Sequence, residues 1–348
     1  MSRGKEIGSL TTTREGSGPA SWSENAWHEQ GVNLFPKSNL EFESLERCVE
    51  EFILTGHIPN APLLTNGSKV TTIGSCFAAE LRHFLSTANL GADSFWVPSG
   101  LNNTFALRDF ISWCVTGEET SEGFRYERDD NGKIKDWLPE ESRNEYLGYL
   151  KATDAFVFTL GLSEIWRDKE TGKVFWRGIP ERIFDEKRHE FRQSRVSENV
   201  ENLRAIVQCI RLINPTAQII FTLSPVPLKA TYKNQSCITA DCVSKSTLRV
   251  AIDEVMSEKL ESVWYWPSFE VVKWVGCHLP YPVYGTDDNV VRHVSRYEVM
   301  TIIRSFVKAY YGEGLAREAA ECALQGLSVE EGIKGEPPLM YKGTIVRG

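Results

Sequence analysis

An α/β domain with a mainly parallel sheet is the fold class this sequence predicts, and three patterns predict it. Short β-branched or aromatic runs recur at residues 69–73, 155–160, 218–223 and 263–266. Between them lie segments with apolar residues every three or four positions, the period of amphipathic helices. Glycines and polar residues cluster just after the runs, where parallel sheets hold their ligands, at the carboxyl ends of the strands. Strands alternating with helices at this spacing imply βα units and a sheet covered on both faces.

Taken in order, residues 1–30 are rich in Gly, Ser and Thr and read as a flexible N-terminal arm, with Trp22 and Trp27 marking where its later part docks. The main domain is expected over residues 31–326. Residues 40–54 carry Leu45, Val49, Phe52 and Ile53 on one helical side. The run 69–73 is a buried strand, bounded upstream by Asn66-Gly67-Ser68, and Phe77, Leu81, Phe84 and Leu85 form the apolar stripe of the helix after it. Residues 95–97 read as a short strand leading into the loop Pro98-Ser99-Gly100-Leu101-Asn102-Asn103, and residues 105–115 as a helix. Residues 117–145 are charged and aperiodic, a surface excursion.

The run 155–160 is continuously apolar, as in strands buried on both faces. Residues 167–194 are charged, with a hairpin turn at Glu170-Thr171-Gly172. A helix over 198–213 keeps Val200, Leu203, Val207 and Ile210 in register until Asn214-Pro215 stops it. The strand 218–223 ends in Ser224-Pro225-Val226-Pro227. Residues 243–260 are helical, with Leu248, Ile252 and Val255 inward. The strand 263–266 closes at Pro267. The last long helix spans 296–311, preceded by Asp287-Asp288-Asn289-Val290-Val291-Arg292-His293, and residues 327–348 read as an irregular tail.

Composition narrows the function classes. A net charge of -8 argues against a broad nucleic-acid surface, which needs a basic excess. No apolar run reaches transmembrane length, and residues 1–18 lack the apolar core of a signal peptide. The eight cysteines are scattered, so a reduced, cytoplasmic chain is the expectation. No phosphate-binding glycine motif follows a strand. Cys237 and Cys242 lack a partner pair, so neither a nucleotide cofactor nor a metal is expected.

The chemistry concentrates at Ser75 and Cys76, on the turn from strand to helix. There a hydroxyl or thiol meets the unpaired N–H groups and positive dipole end of the helix, a place to hold a nucleophile and stabilise an oxyanion. The same position suits a helix cap at Ser75 and a small core residue at Cys76, and local sequence leaves these alternatives open. A thiolate at Cys76 is the rival nucleophile.

Gly74-Ser75-Cys76-Phe77-Ala78 resembles the signature of the GSCFA family. Four further stretches resemble it in the same order: Thr159-Leu160-Gly161-Leu162-Ser163-Glu164-Ile165-Trp166, Leu223-Ser224-Pro225-Val226-Pro227, Ser244-Lys245-Ser246-Thr247-Leu248-Arg249 and Tyr265-Trp266-Pro267-Ser268-Phe269-Glu270. The family is similar to the SGNH, or GDSL-like, hydrolases. That likeness implies a flavodoxin-like three-layer fold and acyl transfer from esters of sugars, lipids or other small molecules to water or another hydroxyl.

By this resemblance Ser75 is the nucleophile, and its backbone N–H one oxyanion donor. The glycine donor falls at Gly100, with Asn102 and Asn103 as side-chain donors. The block ending Gly-x-Asn-Asp is here Gly161-Leu162-Ser163-Glu164, without the asparagine. Ser163 could donate in its place. An ionised Glu164 can only accept, so it is expected to orient neighbouring groups through hydrogen bonds and not to act as the base. The Asp-x-x-His block is also altered: Val290 stands three before His293, whereas Asp288 stands five before and Asp287 six before. His293 is the expected base and Asp288 its partner if the chain is looped out between them, with His278 as the rival base. The other four histidines read as ordinary. The resulting expectation is a serine esterase or O-acyltransferase on an acylated sugar or related small metabolite, with an acyl donor as a further partner if it is a transferase. A non-catalytic carbohydrate-binding protein on the same fold is the alternative.

Overall fold

The computed structural model describes residues 5–12, 22–28, 35–36, 38–91, 101–118, 126–128, 134–136, 140–176, 178–179, 181 and 184–326. The expected strand at 95–97, Gly100 and the tail 327–348 lie outside these residues. In chain order the elements are β1 (Lys5–Thr12), β2 (Trp22–His28), α1 (Leu45–Cys48), β3 (Val70–Gly74), α2 (Cys76–Thr87), α3 (Thr104–Thr116), β4 (Tyr126–Arg128), β5 (Ile134–Asp136), α4 (Glu140–Ala152) and β6 (Ala155–Leu160). They continue with β7 (Glu164–Asp168), β8 (His189–Gln193), α5 (Val196–Ile213), β9 (Gln218–Leu223), α6 (Cys237–Ser257), β10 (Val263–Trp266), α7 (Ser268–Glu270), α8 (Arg296–Tyr311) and α9 (Glu313–Gly326).

The central sheet has the order β10-β9-β6-β3, with every pair parallel. Side chains of a strand alternate between faces, and here each face has its own core. Ala155 and Val157 of β6 and Ile220 of β9 pack with α2 and α8 residues such as Leu81, Phe84, Ile303 and Phe306. Phe156, Phe158 and Leu160 of β6 with Ile219 and Phe221 of β9 join α3, α5 and α6 through Phe110, Leu203 and Leu248. The result is the expected three layers, helix–sheet–helix. The long apolar run of β6 follows from its two covered faces.

Several elements depart from the expectation in ways that have physical reasons. The helix α4 escaped pattern reading because only Tyr146 and Leu150 of its described residues are buried apolar anchors. The helix α6 begins at Cys237, where the Ser236 hydroxyl accepts from the Ile238 N–H at 3.2 Å. Residues 268–278, unassigned by pattern, wind through α7, a π-helical turn Val271–Val275 and a 3-10 turn Gly276–His278. The helix α9 was not anticipated either. In the arm, β1 pairs antiparallel with β2. The charged stretch after β6 forms the antiparallel pair β7–β8, and Gly172, at φ +73°, turns the chain back where the hairpin was expected. Among the described residues no helix is long and apolar enough to cross a membrane.

Candidate functional site

The site starts at Gly74, which has φ +130°. A Cβ there would lie 2.1 Å from the Thr159 carbonyl oxygen, so only glycine lets the end of β3 press against β6 and turn. Ser75 follows as the N-cap of α2, with an extended backbone at φ −75° and ψ −179°. Its hydroxyl makes no cap hydrogen bond. Instead the Ala78 N–H donates to the Ser75 carbonyl at 2.9 Å. Ser75 Oγ is buried and bonds to no described residue. The cap reading of this side chain therefore does not describe it. One expectation is corrected: the Ser75 N–H donates to the Thr159 carbonyl at 3.2 Å and is already engaged. The oxyanion donors that remain by helix geometry are the N–H groups of Cys76 and Phe77, since that of Ala78 is taken by the Ser75 carbonyl.

The second part is the loop over residues 279–295, which leads into α8. The Gly285 N–H donates to the His293 carbonyl at 2.9 Å, and the His293 N–H to the Val290 carbonyl at 2.8 Å. Asn289 takes a left-handed φ of +59°, a conformation Asn tolerates better than most residues. These contacts loop the extra residues out and bring Asp288 Oδ2 to 2.5 Å from His293 Nδ1. A carboxylate can only accept, so Nδ1 carries the proton and Nε2 is the acceptor of the neutral ring. The bond from His293, helped by the Val290 N–H, holds the Asp288 carboxyl below the usual carboxylate range. Asp287 does something else: its Oδ2 accepts from the Arg296 N–H at 2.7 Å, at the start of α8. His278 stacks on Phe42, ring centres 4.2 Å apart, and does not line the pocket that contains His293.

That pocket, about 480 Å³, is lined by Phe77 and Glu80 of α2, Pro225 and Val226 after β9, and Asp288 and His293. Arg296 reaches Glu80 at 3.5 Å and ties the two walls together. His293 thus shares this pocket with Phe77 and Glu80 of the helix that Ser75 begins, while Ser75 itself is not among the lining residues.

The third part lies at the end of β6. The Asn102 carbonyl accepts from the N–H groups of Gly161 (2.7 Å) and Leu162 (3.2 Å). Its side-chain amide bonds to no described residue and packs against Gly161, where a Cβ would meet Asn102 Cβ at 3.3 Å and Nδ2 at 3.5 Å. Of the expected side-chain donors, Asn102 is therefore the one with a free amide at the strand end. Asn103 caps α3: its Oδ1 accepts from Ala106 N–H at 2.9 Å and its Nδ2 donates to the Trp176 carbonyl at 3.3 Å. Ser163 Oγ is buried among Ser244 and Gln193. Both are engaged in the framework. Glu164 begins β7 and accepts from Thr231 Oγ1 at 3.0 Å, with Lys233 Nζ at 3.2 Å.

One residue escaped the sequence reading. Lys245 of α6 is only 2% exposed and donates to the Gly161 carbonyl. Burial lowers its pKa to about 8. The signal was present: Lys245, Leu248, Ile252 and Val255 share helical spacing, so the lysine interrupts an apolar stripe.

No curated protein matches this sequence. The GSCFA family model matches residues 69–306, a span that begins beside β3, takes in Ser75, Gly161, Lys245 and His293, and ends within α8. On that match, over most of its length, the chain belongs to the GSCFA family.

Proposed function

We propose that the chain is a serine esterase or O-acyltransferase of SGNH type, acting on an acylated sugar or related small metabolite. One observation carries this reading. Ser75 holds a buried hydroxyl with no described partner at a helix N-terminus, and that helix walls the pocket of the His293–Asp288 pair. In the reaction Ser75 Oγ attacks the ester carbonyl carbon while its proton passes to His293 Nε2. The new oxyanion is held by the N–H groups of Cys76 and Phe77 at the start of α2 and by the Asn102 amide. Collapse breaks the bond to the alcohol oxygen, which takes the proton back from His293. Water, or an acceptor hydroxyl in a transferase, then repeats the sequence in reverse at the Ser75 acyl ester. Asp288 holds the imidazole tautomer throughout.

The chain should be labelled by a fluorophosphonate probe at Ser75. Ser75→Ala should lose both labelling and turnover of a short-chain aryl ester, with a thermal midpoint close to wild type. An active Ser75→Ala protein beside a dead Cys76→Ala protein would move the chemistry to the thiol. A non-catalytic carbohydrate-binding role is favoured by the missing asparagine at Gly161-Leu162-Ser163-Glu164, and a wild-type chain that is not labelled would support it.

A further inference from the structure

A second cavity, of about 300 Å³, opens at the same end of the sheet. Its walls include Trp166, Phe191 and Tyr232, whose ring centres lie 5.1–5.2 Å apart in edge-to-face or tilted contacts. Tyr232 is 73% exposed, a large aromatic held at the rim. The wall also carries Asn102, whose side-chain amide bonds to no described residue, Glu164, and Asn103, whose amide is taken up by Ala106 and Trp176. Thr231 and Lys233 both converge on Glu164 Oε1, and Lys233 Nζ also donates to Gln193 Oε1 at 2.8 Å.

We propose that this aromatic cavity binds a neutral pyranose ring and holds the sugar part of the ester whose acyl group reaches Ser75. The second half of the statement rests on the esterase or acyltransferase reading. The first half stands on the cavity. An acyl chain there would strip water from Glu164 and Asn102 without replacing its hydrogen bonds, a cost of the kind that excludes such ligands. A quaternary ammonium suits aromatic walls beside an unpaired carboxylate, but Glu164 is paired with Lys233 at 3.2 Å, so the wall offers no net charge to hold either a cation or an anion. A polyhydroxylated ring meets each requirement. Its C–H faces lie on the aromatic walls, and its hydroxyls bond to the Asn102 amide and to the free oxygen of Glu164.

The two cavities are joined by one loop. Pro225 and Val226 line the His293 pocket, and Leu228, Ala230 and Tyr232 line the aromatic one. Between them, the Pro227 carbonyl accepts from Arg292 Nη1 at 2.9 Å, which pins this loop to the one that carries His293.

The test uses the full chain as Ser75→Ala, so that nothing turns over, titrated calorimetrically with methyl glucopyranoside, galactopyranoside and mannopyranoside, choline and hexanol. At least one pyranoside should saturate, and Tyr232→Ala should weaken it by about tenfold or more, while Tyr232→Phe, which keeps the ring, should not. Preferential binding of choline or hexanol would overturn the proposal. So would the absence of saturation by every pyranoside up to about 50 mM, beyond any useful affinity, or a Tyr232→Ala titration equal to that of its parent. Failure of the esterase reading would show elsewhere, as a Ser75 that no fluorophosphonate labels. With Ser75 restored, Tyr232→Ala should raise KM for an acetylated methyl pyranoside more than it lowers kcat.

Discussion

His293 and Lys245 show how differently two side chains acquire function from their surroundings. The imidazole is half exposed and is ordered by its carboxylate partner, 2.5 Å away. General-base assistance is worth about 10²–10⁴-fold in rate. His293→Ala should therefore lower kcat for an aryl ester by at least about a hundredfold, His278→Ala far less, and Asp288→Asn less than His293→Ala. An inactive His278→Ala beside an active His293→Ala would reverse the assignment. Lys245 is instead defined by burial, which lowers its pKa from 10.5 to about 8. Between those values the unfolded chain binds more protons than the folded one, so this group makes stability rise with pH across that window. Urea unfolding at stepped pH should show the rise in wild type and its absence in Lys245→Met, a variant that also leaves the Gly161 carbonyl without its donor.

At the scale of elements, α8 couples structure to the site because its first turn follows the His293 loop. Ser295 caps it, and Asp287 accepts from its Arg296 N–H. Glu298, in that same turn, is fully buried, and desolvation raises its pKa from 4.5 to about 8. Here the folded state binds more protons than the unfolded one, and stability contributed by the protonated acid is lost as pH rises from about 4.5 to about 8. The melting temperature should fall over that interval, and Glu298→Gln should remove this part of the fall. A variant with an unchanged slope would show that Glu298 is already ionised. Elements of this kind were only partly legible. The helix α8 was readable to the residue because Val299, Ile303, Phe306 and Val307 repeat at helical spacing. The helix α4 was not, because the two buried apolar anchors among its described side chains give no period.

At the scale of the molecule, the sheet is the shared wall of two cores, and β6 is one of its two interior strands. Phe158 is completely buried and stacks on Phe156 and Phe221, with ring centres 5.8 Å from each. Phe158→Ala should cost about 3–5 kcal/mol, the range for removing a buried ring and leaving a cavity. Denaturant unfolding would measure it as a lower midpoint at unchanged slope. A loss below about 1 kcal/mol would mean that the neighbouring rings close the gap.

The sequence by itself determined the fold class, the four sheet strands and the position of Ser75, because each depends on periodicity or on a local change of period. It also carried the family blocks, and the span of the family model takes them in. Only the tertiary structure decided which hydroxyls, amides and carboxylates are free. Ser163 and Asn103 looked as available as Ser75 and Asn102 on paper, yet partners as remote as Ser244 and Trp176 occupy them. Asp288, the partner expected for His293, meets it only through a left-handed Asn289 and two loop hydrogen bonds, and Lys245, which interrupts an apolar stripe, finds its acceptor in a carbonyl 84 residues away in sequence. Hydrogen-bond partners that meet only when distant segments pack leave no periodic trace in the chain, so that part of the site was invisible until the fold brought it together.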